Sequence, residues 1–188
     1  RLAAVGLAGT SAAATEHCQD LSVDVAGKGR PVMMIPGLNS GADTWRDTGA
    51  ALQTDHVQCY IVNLPGFAGL PPSATAQGAF LDSMRDRLLA YTKARHLKRP
   101  VVVGHSLGGA LALEMAIAAP DAVGPLVIVD SLPFFPAAVN PAATVETARP
   151  MADGMRTQMR ASDDATYLKG AEAAVATMAH DPARVATL

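Results

Sequence analysis

The residues best suited to chemistry lie in one short stretch, Gly104-His105-Ser106-Leu107-Gly108-Gly109. A serine with glycines two positions before and after it has the spacing of a sharp strand-to-helix turn. Side chains at those two positions would collide, and Gly104 and Gly108 remove them. The apolar run Pro100–Val103 precedes the turn, and the dense apolar stretch Leu107–Ala119, stopped by Pro120, follows it. Such a turn holds the serine Oγ above the end of a sheet, which makes Ser106 the candidate nucleophile of an acyl transfer. The helix beginning at Leu107 adds N–H groups and a partial positive charge where an oxyanion would develop. His105 is adjacent, but its side chain leaves the turn in another direction, so it is read as structural.

An acyl transfer needs two N–H donors on the oxyanion. One is expected from the residue after the nucleophile, Leu107. The other is expected from a loop that follows an earlier strand. Met34-Ile35-Pro36-Gly37-Leu38-Asn39-Ser40 fits that requirement: Gly37 permits a tight turn, and Leu38 offers the N–H. Pro36 contributes shape rather than chemistry.

These pieces must be held by a scaffold, and the sequence shows its outline. Leu21–Val25 alternates apolar and polar residues, as a half-buried strand does. Pro31–Ile35, Pro100–Val103 and Pro125–Val129 are apolar throughout, as strands covered on both faces are, and Val57–Asn63 reads as a further strand. Gly27-Lys28-Gly29 reads as a tight turn. Helical patterns fall at Asp43–Leu52, Gln77–His96 and Leu107–Ala119. Alternating strands and helices predict an α/β fold, a mostly parallel sheet with helices on both faces. After Asp130 the pattern changes to a Pro- and Phe-rich stretch and then to polar helix without strand signals, read as the start of a helical cap. The expected organisation is 1–15 as an arm or signal-peptide remnant, 16–133 as the core and 134–188 as the cap segment.

Composition excludes several classes. With a net charge of −2 and no basic stripe, the chain has no footprint for nucleic acid. The apolar first fifteen residues are too short and too weakly apolar to span a bilayer. They resemble the end of a secretory signal peptide, which implies a periplasmic or secreted protein, with the cytoplasm as the alternative. Export would permit a disulfide, and Cys18 and Cys59 fall on segments expected to be neighbours, so a bridge between them is one expectation. No His/Cys cluster has metal-ligand spacing, and no cofactor is expected.

Taken together, IPGLNSGADTW, NLPGFAG, GHSLGG and LVIVDS, in that order, resemble the α/β-hydrolase superfamily in its serine esterase and lipase branch. The resemblance covers roughly residues 21–135. It implies a serine hydrolase acting on a small-molecule carboxylic ester through an acyl-enzyme, with thioesterase or haloperoxidase-like variants as alternatives. A non-catalytic ligand-binding or interaction module on the same fold is the other class. It also implies a triad in the order Ser, acid, His, with two more strands after the cap. The sequence reaches Leu188 inside the cap, which predicts a further segment or partner chain of roughly 80 to 110 residues carrying the histidine. Of the histidines present, His17, His56, His96 and His180 are read as non-catalytic. Asp130, at the end of the strand after Ser106, is a possible acid, with a structural role as the alternative.

Overall fold

The computed structural model describes residues 14–18, 20–73 and 79–178. The chain divides into two compact units, Arg1–Pro133 and Phe134–Leu188. The first contains one six-stranded sheet: β1 (Ala14–Cys18), β2 (Leu21–Gly27), β3 (Arg30–Ile35), β4 (Val57–Asn63), β5 (Val101–His105) and β6 (Leu126–Val129), in the spatial order β1-β2-β4-β3-β5-β6. Strands β4, β3, β5 and β6 run parallel, and β1 and β2 join antiparallel at one side. The sheet is thus mixed and mostly parallel, as the apolar runs predict.

Three helices cover the sheet. A 3₁₀ turn, Ala42–Trp45, leads into α1 (Arg46–Leu52) after β3; α2 (Phe80–Ala94) precedes β5; α3 (Leu107–Ala118) follows it. Two apolar cores result. One gathers Val23, Met33, Tyr60, Val62, Val102, Met84, Leu88, Tyr91, Leu111 and Met115. The other, smaller, gathers Val32, Met34, Cys59, Ile61 and Val103 with Trp45. Successive residues of β3 alternate between these cores, with Met33 in one and Met34 in the other. A strand with both faces covered must do this, because its side chains point to opposite faces in turn.

The observed elements depart from the sequence reading in several places. First, Ala14 and Thr15 belong to β1, although the sequence places them in the leading arm; residues 1–13 lie outside the described residues. Second, α2 starts at Phe80 rather than Gln77, and residues 77 and 78 also lie outside the described residues. Third, Cys18 and Cys59 are both free. Their strands lie close together, since β2 pairs with both β1 and β4, but the register keeps the sulfurs apart. Cys18 is opposite Leu21 at one end of β2, and Cys59 is opposite Ala26 near the other. Five residues of strand separate those positions, on the order of 16 Å, well beyond disulfide reach. The two thiols also belong to different cores. Burial raises the Cys59 thiol pKa.

Strand β6 is the edge of the described sheet, and its Val127 and Val129 are exposed. The second unit contains α4 (Pro136–Val139), α5 (Val145–Ala161) and α6 (Asp164–Met178), with no strand among its described residues. Thr144 caps α5 in a reciprocal arrangement with Thr147: the Thr147 N–H donates to Thr144 Oγ1, and the Thr144 N–H donates to Thr147 Oγ1. No described helix is long and apolar enough to cross a membrane.

Candidate active site

Ser106 sits between the last residue of β5 and the first of α3. Its backbone has φ 50° and ψ −115°, a conformation costly for any residue with a Cβ. Three neighbouring contacts hold it there. The Ser106 N–H donates to the Val129 carbonyl at 3.0 Å, which ties the turn to β6. The Ser106 carbonyl accepts from the N–H groups of Gly109 (2.9 Å) and Ala110 (3.2 Å), which starts α3. The third contact is steric. A Cβ on Gly104 would lie 2.2 Å from the Gly108 carbonyl oxygen, and one on Gly108 would lie 2.2 Å from the Ile35 carbonyl oxygen. Both neighbours are backbone and have no rotamer to change. The two glycines are therefore obligatory for this turn, as their spacing implies.

Gly108 also connects the turn to the loop after β3, because the carbonyls it packs against are those of Ile35 and Pro36. Gly37 follows directly. A Cβ there would lie 3.4 Å from Ser106 Cβ and 3.0 Å from His105 Nδ1. The loop backbone thus passes beside the serine, with Leu38 as its next residue. The Leu38 side chain is exposed. On the other side of Ser106, Leu107 and Gly108 open α3, and N–H groups at a helix start have no acceptor within the helix. The structure therefore brings together Ser106, the Gly37-Leu38 loop and the start of α3. This arrangement can present a hydroxyl and backbone donors to one carbonyl.

The other residues singled out by the sequence fall as follows. Asp130 comes one residue after Val129, so its backbone is close to the turn; it is exposed, with φ 46°. His17 is exposed on β1, four strands from β5, a distance on the order of 19 Å. His56 precedes β4, and its carbonyl accepts from the Arg30 N–H at 2.9 Å, at the opposite end of the parallel strands from Ser106. His96 follows α2, and only Leu97 to Pro100 separate it from the start of β5, again at that opposite end. His180 lies outside the described residues. His105 packs its Nδ1 edge toward Gly37, and this buried nitrogen has no hydrogen-bond partner among the described residues.

Two features of the site escape the sequence reading. Asn63 accepts from the Ala42 N–H at 2.7 Å, linking the end of β4 to the end of the Gly37 loop. Ser131 lies against Gly109, where a Cβ would come within 2.5 Å of Ser131 Cβ. Neither has a local signal, because each contact joins segments more than twenty residues apart. No group of three or more His, Cys, Asp or Glu residues able to hold a metal ion occurs among the described residues.

The profile of the alpha/beta hydrolase family matches residues 32–188. The chain belongs to this family. Among its relatives are the pimeloyl-[acyl-carrier protein] methyl ester esterases of Vibrio cholerae, 34% identical over 113 residues, and Vibrio atlanticus, 35% identical over 117 residues. The matches cover 60% and 62% of this chain but only 41% and 42% of those proteins, so the chain spans about two fifths of the length of these curated relatives. Solved structures agree on the fold. An N-acyl homoserine lactonase superposes with a TM-score of 0.61 at 19% identity, covering 69% of this chain and 49% of that one. A marine microorganism esterase superposes with a TM-score of 0.59 at 22% identity, covering 88% and 60%. In this alpha/beta hydrolase, Ser106 occupies the turn between β5 and α3.

Proposed function

We propose that the protein is a serine hydrolase of carboxylic esters that works through an acyl-enzyme on Ser106. The observation that carries this reading is the strained backbone of Ser106, held by glycine contacts to the loop that contains Leu38. A residue kept at φ 50° by contacts on several sides is the kind of stored strain found at functional sites. The chemistry follows from the placement. A base takes the Ser106 hydroxyl proton as Oγ attacks the ester carbonyl. The Leu38 and Leu107 N–H groups stabilise the oxyanion. The alcohol departs with the proton, and water then releases the acid from Ser106.

On this reading, the base and its acid come from a further segment or partner chain. Support comes from the greater length of the relatives and from the positions of His17, His56 and His96 away from Ser106. Asp130 directly follows Val129, whose carbonyl accepts the Ser106 N–H, and it is the alternative acid. The names of the Vibrio relatives favour a methyl ester as substrate. The test is hydrolysis of p-nitrophenyl acetate and of a methyl ester by the full-length protein and its Ser106→Ala variant. Loss of at least about 10³-fold in kcat with the fold intact is expected, since triad members act as a unit.

A further inference from the structure

We infer that Asn63 is a positioning residue for the oxyanion loop, acting as an N-terminal cap supplied from another strand. The inference rests on the proposed role of Leu38. The loop from Pro36 to Gly41 must hold one N–H steady beside Ser106, and donors of this kind work because they are fixed before the reaction begins. At its start the loop is anchored by β3 and by Gly108, packed against the Ile35 and Pro36 carbonyls. Its far end is the 3₁₀ turn Ala42–Trp45. The cap position there is Gly41, and it makes no side-chain cap hydrogen bond.

A helix start without a cap leaves its first N–H groups unsatisfied. Asn63, the last residue of β4, fills that role from 21 positions away: its Oδ1 accepts the Ala42 N–H at 2.7 Å. The fit is steric as well as polar. A Cβ on Gly41 would lie 3.0 Å from Asn63 Oδ1 and 2.5 Å from Ala68 Cβ, so the missing side chain makes room for the distant cap. Ala68 has φ 50°, and the stretch that carries it runs on directly from Asn63. The end of β4 and the turns after it therefore form the seat on which the far end of the loop rests. Two further contacts tie β4 to α1 just beyond: the Cys59 thiol lies 3.6 Å from the Gly49 carbonyl, and a Cβ on Gly49 would lie 3.0 Å from Ile61 Cδ1.

The loop is thus stretched between two fixed points, one on β3 and one on β4. Releasing the second lets Leu38 drift from the position where an oxyanion forms. The interaction matters more in the transition state than in the bound ester, so the loss should appear in kcat rather than KM.

The experiment compares Asn63→Leu, which removes the acceptor at similar volume, with Asn63→Asp, which keeps it, in the full-length protein on p-nitrophenyl acetate. Asn63→Leu is expected to lower kcat about 10- to 100-fold, less than or equal to the loss of an oxyanion donor, with KM within about twofold. Asn63→Asp is expected to stay within about threefold of the parent. Should Asn63→Leu fail to fold, Asn63→Ala is read in the same way, with folding checked by circular dichroism. Equal kcat in the Leu and parent proteins, or equal losses in the Leu and Asp variants, overturns the inference. Parent activity that survives Ser106→Ala refutes the proposed function instead, so the two failures are told apart.

Discussion

Replacing Gly108 with alanine tests whether the contact between the turn and the oxyanion loop is as tight as described. The new methyl carbon would sit 2.2 Å from the Ile35 carbonyl oxygen and 2.7 Å from the Pro36 carbonyl oxygen, where ordinary contact begins near 3.4 Å. The shortfall is roughly 1.2 Å against the backbone of Ile35 and Pro36, and Ile35 is in register with Gly104 on β5, so β3 cannot yield freely. Overpacking of this kind costs about 3 kcal/mol, the top of its usual range. Alanine in a helix recovers up to about 1 kcal/mol relative to glycine. The net expectation is a loss of about 2 kcal/mol in urea unfolding followed by circular dichroism. Gly154 in α5 supplies the control, because a Cβ there meets nothing within 4 Å. Gly154→Ala should stabilise its helix by about 0.5–1 kcal/mol, from propensity alone. A displacement approaching 1 Å at Pro36–Leu38 should also slow reaction at Ser106 by about 100-fold. A Gly108→Ala protein as stable and as reactive as its parent would refute the packing argument.

Two further outcomes concern the thiols and alkaline pH. Unfolding the protein without reductant and titrating with Ellman's reagent should release two thiols; in the native protein Cys18, which is half-buried, should react well before the buried Cys59. Recovery of no thiols before reduction would mean a bridge and contradict the register of β1, β2 and β4. Stability should also fall as pH rises above about 9. Cys59, Tyr60 and Tyr91 all have pKa values raised in the fold, each chiefly by burial, and Glu16 adds to the effect on Tyr91. In the unfolded chain they ionise near 9.0 for the thiol and 10.0 for the phenols, so their contribution is complete below those values and is lost as pH climbs toward the folded ones. Urea midpoints equal at pH 8 and pH 10.5 would show that these groups are not buried as described.

Strands β3 and β5 were legible because burial on both faces leaves largely apolar runs, and Val57–Asn63 matches its strand at both ends, whereas β6 has one face exposed at Val127 and Val129 although its sequence is apolar throughout. The turn at Ser106 was legible because its glycines are a steric requirement. Strand β1 was not, since Ala14–Cys18 lies at an edge with mostly exposed side chains and so has no apolar signature. The thiol pairing failed for a related reason. Adjacency of β2 and β4 can be argued from the order of elements, but which ends meet depends on the antiparallel register, a non-local property. Asn63 is the same kind of case: one polar residue at the end of an apolar strand, whose use appears only when Ala42 is brought beside it.

The most direct test of Ser106 as nucleophile is covalent capture. Full-length protein is treated with a fluorophosphonate, digested, and the adduct located by peptide mass spectrometry. The expected result is one stoichiometric adduct on the peptide containing Gly104-His105-Ser106, absent from Ser106→Ala and slowed in Gly108→Ala. Ester hydrolysis that persists while Ser106 stays unmodified, or an adduct on another residue that accounts for the lost activity, would contradict it.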